Sequence, residues 1–165
     1  DTETGLITTE FSSPIINMIN LNVLTDYLQQ SQFLDTKGQV RSVILSEQGF
    51  TSTSATRGKV EDLQAAAIAY AYYIADSNPH IDAFIMSRQV DAPVEVNTSC
   101  SFGLYSCDMN QPNDIVATMP KPSWYVYKNI DNRRTTLEVT EEYKKYIGIE
   151  KWSDVIPNFR WKNLE

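Results

Sequence analysis

Apolar positions recur along this chain with two periods, and each period marks out its own elements. Between Met18 and Phe33 they fall at Met18, Leu21, Leu24 and Leu28, with Asn22, Asp26, Gln29 and Gln30 on the remaining surface. That spacing predicts an amphipathic helix. Asp35-Thr36-Lys37-Gly38 reads as a turn. The run from Val40 to Phe50 then brings Val40, Val43, Ile44 and Leu45 together before Ser46-Glu47-Gln48-Gly49. Branched side chains suit a pleated surface, so this is a predicted strand. Because it is apolar on both alternating faces, the expected setting is a parallel sheet covered on both sides.

Thr51 to Lys59 is a polar loop, and an alanine-rich helix is predicted from about Val60 to Asp76. Its small residues allow a close approach to a sheet, with Tyr70, Tyr72 and Tyr73 read as packing residues. Asn78-Pro79 ends it, because the residue before a proline leaves the helical region. Ile81 to Ser87 is a second short apolar strand. A strand, a crossover helix and another strand form a βαβ unit, which requires parallel pairing.

Asp91 to Pro120 reads as a long irregular loop rich in Asn, Ser and Pro; such a loop is usually functional or tethered. Residues 121–165 supply the terminal helices. Ser123 is the expected N-cap of a helix running to Asp131, with Trp124 in the core or at an interface. Thr140 is the expected cap of a further helix that ends at Gly148. Trp152, Val155, Ile156, Phe159 and Trp161 form an aromatic tail expected to fold back on the body.

The length of 165 residues favours one domain, and 42% hydrophobic residues provide material for a core. A net charge of −7 and the lack of any basic run argue against a nucleic-acid partner. No apolar stretch approaches the roughly 18 to 20 residues that span a bilayer, so no membrane association is expected. Cys100 and Cys107 are read either as a disulfide tether for the long loop or as two reduced thiols. No metal site is expected, since Cys-x6-Cys is not a zinc spacing and His80 is the single histidine. No cofactor is expected either.

In open parallel sheets the ligand crevice lies at the carboxyl ends of the strands. Glu47 and Gln48 end the first strand, and Arg88 and Asp91 follow the second, so these four are the candidate site. Glu95, in the long loop, is a further carboxylate within reach of that crevice. His80 sits beside the turn at the opposite end and is read as structural. The plain alternative for Glu47 is a polar strand end that caps a loop. For Arg88 and Asp91 it is a structural ion pair.

Ile44-Leu45-Ser46-Glu47-Gln48-Gly49-Phe50 resembles the seventh strand of clan-A glycoside hydrolases, which are (β/α)8 barrels. Asn20 to Leu28, the Glu47 strand, Gln64-Ala65-Ala66, Phe84 to Asp91 and Gly103-Leu104 together resemble the DUF5722 family of glycosidase-like bacterial proteins. The resemblance runs from about Asn20 to the aromatic tail. It implies an α/β chain forming the C-terminal portion of a TIM-type barrel, with about the seventh and eighth strands and their helices. On this reading the domain is partial, since a whole barrel takes about 250 residues. The rest of the barrel, or self-association through the open sheet edge, is the expected partner.

The resemblance further implies a carbohydrate-active hydrolase and a carbohydrate ligand. Glu47 would be the nucleophile, and its acid/base partner would come from the fourth strand, which this chain lacks. The chain alone is therefore expected to be inactive. Gln48 either hydrogen-bonds sugar hydroxyls or orients Glu47, while Arg88 and Asp91 either hold substrate or pair structurally. A barrel that binds glycan without cleaving it is the alternative; a structural or interaction domain is the third reading.

Overall fold

The computed structural model describes residues 4–130 and 132–156. Asp131, Phe159 and Trp161, to which the sequence assigned a helix end and part of an aromatic tail, lie outside the described residues.

The expected first helix is broken into pieces. A 3-10 turn at Met18–Asn20 leads into α1 (Leu21–Tyr27), and a second 3-10 turn occupies Ser31–Phe33. At the break, the side chains of Gln29 and Gln30 donate to the carbonyls of Thr25 and Tyr27, both at 3.2 Å. Side-chain donors on backbone carbonyls compete with continuation of a helix. Asn20 is buried and ties down the preceding loop, donating to the Thr8 and Ile15 carbonyls at 2.9 and 3.0 Å.

β1 (Val43–Gln48) is followed by a small antiparallel pair, β2 (Thr53–Ser54) and β3 (Gly58–Lys59), within the polar loop. Then come α2 (Glu61–Ser77) and β4 (Ile81–Met86). β1 and β4 pair in parallel, with Ile44 opposite Ala83 and Leu45 opposite Phe84. The βαβ unit expected from the two apolar runs is therefore present. α2 begins with Glu61 and Asp62, whose negative charges complement the positive helix start. Its Ala65, Ala66 and Ala69 are buried, and Leu45, Ile81 and Met86 pack against the same core. Trp152 closes that core by stacking on Tyr73, with ring centroids 4.6 Å apart.

The sheet is not covered on both faces by the described residues. Ile44 is 58% exposed and Ile85 46%. The helices bury the Leu45 side, and no described element lies over these two isoleucines.

Residues 91–120 are more ordered than their composition indicates. They hold α3 (Pro93–Val96) and an antiparallel hairpin of β5 (Tyr105–Cys107) and β6 (Ala117–Pro120). Both cysteines are free thiols, so no disulfide tethers the segment.

α4 (Pro122–Asn129) starts one residue earlier than expected. Lys121 holds the N-cap position, and Pro122 takes the first helical position, where its missing N–H leaves no orphan donor. Ser123 is drawn inside instead and donates to Gln64 Oε1 at 2.9 Å. Likewise Thr140 ends α5 (Arg133–Thr140) and holds the N-cap position of the following turn, but its side chain makes no capping hydrogen bond there. Its hydroxyl bonds the Thr136 carbonyl at 2.8 Å and the buried Tyr73 hydroxyl at 2.9 Å. After a 3-10 turn at Glu141–Tyr143, α6 (Lys144–Ile147) stops at Gly148, whose φ of +78° is the left-handed cap expected there.

Candidate functional site at the strand ends

The carboxyl ends of β1 and β4 stand side by side. The Ser87 amide donates to the Gln48 carbonyl at 2.7 Å, which locks the two strand ends in register. An irregularity in pairing between Leu45 and Gln48 leaves both Ser46 and Glu47 exposed. Gly49 then lets the chain pass close to β4. A Cβ there would lie 2.9 Å from Ser87 Oγ and 3.3 Å from Phe102 Cδ1.

Glu47, Gly49, Ser87, Arg88, Glu95 and Phe102 line a cleft of about 310 Å³ at these ends. Arg88 is gripped by Glu95 through a forked contact: Nε donates to one carboxylate oxygen at 3.1 Å, and Nη2 meets the other. Planar guanidinium and carboxylate groups match in this arrangement, so it fixes orientation as well as charge. The hydrogen bonds that Arg88 donates to Glu95, together with the charge of Glu95, push the Arg88 pKa upward, and the charge of Glu47 adds to the same effect. Glu95 itself is positioned by α3. Its carbonyl accepts from the Thr98 hydroxyl at 2.8 Å and the Cys100 amide at 3.0 Å. The cleft thus presents two carboxylates and one guanidinium beside an aromatic ring.

Asp91 does not join this group. It is buried, and its Oδ2 lies 2.7 Å from Lys121 Nζ. A carboxylate removed from water must be paired, and Lys121 supplies the partner. Asp91 Oδ1 also accepts the Gly103 amide at 2.7 Å. The structural ion pair read for Arg88 and Asp91 is not formed between them: Arg88 pairs with Glu95 and Asp91 with Lys121. Gln48 is half-buried and is not among the cleft-lining residues; its backbone carbonyl holds Ser87. His80 lies at the amino end of β4, where its carbonyl accepts the Val43 amide.

Beneath the cleft runs a buried polar knot that the sequence reading missed. Lys121 Nζ also donates to Ser52 Oγ at 2.9 Å. The Gln64 amide is set against the carbonyls of Phe50, Ser101 and Gly103 at 2.8, 3.3 and 3.2 Å. The Ser52 amide bonds the Ser101 carbonyl at 2.8 Å. This knot binds the loop after β1, the start of α2, the segment after β4 and the start of α4. It does the tethering that a disulfide was considered for. Gln64, Asp91 and Gly103 were visible as motif residues, but Lys121 had only its place before a proline to mark it.

Among the described residues no cluster of His, Cys, Asp or Glu is arranged to hold a metal ion, and no helix is long and apolar enough to cross a membrane. No curated protein and no solved structure matches the chain. One family model does, described as a family of unknown function, DUF5722, and it matches residues 1–155. A match over nearly the whole chain makes this protein a member of the DUF5722 family.

Proposed function

We propose that this chain contributes the Glu47 carboxylate to the active site of a carbohydrate-active hydrolase of the glycosidase type. In this reading β1 and β4 are the seventh and eighth strands of a (β/α)8 barrel. The observation that carries it is the convergence of Glu47, Arg88 and Glu95, with Phe102, on one cleft at the carboxyl ends of two parallel strands. That is where ligands sit in such folds. Glycoside hydrolysis commonly uses two carboxyl groups, one acting at the anomeric carbon and one protonating the leaving oxygen. Glu47 is the candidate for the first role, with the second group supplied by another strand. Phe102 offers a ring face for a sugar, and Arg88 offers hydrogen-bond donors for its hydroxyls.

A second reading, glycan binding without cleavage, draws support from Glu95. It is the other carboxylate of the cleft, and it is committed to Arg88. The two readings separate on Glu47→Gln in the full-length protein, assayed for hydrolysis and binding across a glycan panel. Loss of hydrolysis with binding retained supports the hydrolase. Binding lost in a protein that never hydrolysed any glycan supports the binding module. If neither binding nor hydrolysis changes, Glu47 is outside the site.

A further inference from the structure

Between α1 and the last turn of α2 lies a second cleft, of about 180 Å³, remote from Glu47. No residue of β1 or β4 lines it, so it belongs to the helices and not to the edges of the sheet. Ser77, the last residue of α2, forms part of its wall and is only 2% exposed. Yet the Ser77 hydroxyl has no hydrogen-bond partner in the fold. Hydroxyls removed from water are ordinarily paired, and one left open on a cleft marks a place for a ligand atom.

The backbone beside Ser77 is short of donors as well. The Asn78 amide bonds the Ala75 carbonyl at 3.2 Å, Pro79 has no N–H, and the His80 and Ile81 amides turn back to Asn78. The following chain thus leaves the carbonyls of Ile74 and Ser77, both in the cleft wall, without a donor. This end of a 17-residue helix carries partial negative charge, and no basic residue stands in its last turn to offset it. Across the cleft, α1 contributes the Asp26 carboxylate, of which Oδ1 accepts the Gln29 amide at 3.1 Å. Among the described residues that line the cleft there is no Lys or Arg, and His80 brings a positive charge only when protonated. Met18, Ile19 and Ile74 supply apolar wall. At about 30 Å³ for each water-sized group, the volume holds about six heavy atoms.

We propose that this cleft binds a small primary ammonium compound. Its charged nitrogen donates to the Ser77 hydroxyl and to the open carbonyls at the end of α2, with Asp26 facing it, and a short alkyl stem lies on Met18, Ile19 and Ile74. An ammonium group has three donors and no acceptor, which matches a wall of unfilled acceptors. The proposal stands whether or not Glu47 acts on a sugar.

The test is a titration of the full-length protein with n-butylammonium, followed by the methyl NMR signals of Met18, Ile19 and Ile74. It is run at about pH 8, above the ordinary imidazole range. n-Butanol and butyrate serve as the uncharged and anionic twins. Saturable shifts with a Kd of roughly millimolar order are expected, since so small a ligand gains little binding free energy. n-Butanol should bind at least about tenfold more weakly. Ser77→Ala, which removes no hydrogen bond from the unliganded fold, should weaken n-butylammonium about fivefold. Asp26→Asn should weaken it about threefold and leave n-butanol unchanged. Binding of n-butanol or butyrate as tight as that of n-butylammonium overturns the proposal. So do an affinity unchanged by either substitution and the absence of shifts up to about 100 mM n-butylammonium.

Discussion

Lys121 and Asp91 form a buried ion pair across 2.7 Å, with side chains only 2% and 5% exposed. They join the start of α4 to the segment after β4, directly below the cleft that holds Glu47. Breaking a buried pair by removing one partner strands the other charge, at a cost of about 3–5 kcal/mol. Lys121→Met and Asp91→Asn should each lower the unfolding free energy, measured by urea titration, by an amount in that range. The double variant Lys121→Met/Asp91→Leu should be less destabilised than the sum of single removals, since no unpaired charge remains. Single variants as stable as the wild type would remove the pair from the account of how the loops are held.

Gly103 and Gly49 make a graded pair. A Cβ on Gly103 would come 2.2 Å from the Asp91 amide nitrogen and 2.5 Å from the Val90 carbonyl carbon, both backbone atoms with no room to move. At Gly49 the nearest atom is the side-chain hydroxyl of Ser87 at 2.9 Å, which can rotate away. Gly103→Ala should therefore cost several kcal/mol, of order 3 or more, and Gly49→Ala about 1. Thermal denaturation of the two variants ranks them directly.

Asp76 sets a pH dependence. Its folded pKa, about 6, lies above the ordinary carboxylate value because burial disfavours the charge. The fold thus favours the protonated form. That advantage is full at pH below the unfolded value and is lost as pH rises through about 6. Asp76→Asn, which never ionises, should be more stable than the wild type above that pH. Discounted for partial solvent exposure, the gain is about 1 kcal/mol, and it should vanish near pH 3. Denaturant titrations of both proteins at a series of pH values check the sign.

How much of this was legible in the sequence depends on how far apart the interacting residues lie. The β1–α2–β4 unit followed from two short apolar runs, the glycines that flank the first and the alanine-rich crossover, all local signals. Gly148 likewise announced its helix end. Ser123 and Thr140 have the chemistry of caps but were drawn into buried hydrogen bonds with Gln64 and Tyr73, partners far along the chain. Tertiary partners of that kind override local preference. The hairpin within residues 91–120 was hidden because its strands are short and separated by a polar loop.

The site divides in the same way. Glu47 and Arg88 could be picked out because strand ends are readable from pattern alone. That Glu95 grips Arg88, and that Asp91 turns inward to Lys121, depends on how the segment after β4 folds. No periodicity encodes that fold.

The central claim concerns Glu47, and hydrolysis by the full-length protein tests it most directly. A glycan panel identifies a hydrolysed substrate, and Glu47→Gln is then assayed on it alongside Asp82→Asn as a remote control. The account expects the Glu47 variant to lose hydrolysis by about a thousandfold or more, with glycan affinity retained and the control unaffected. Wild-type rates in Glu47→Gln would contradict it.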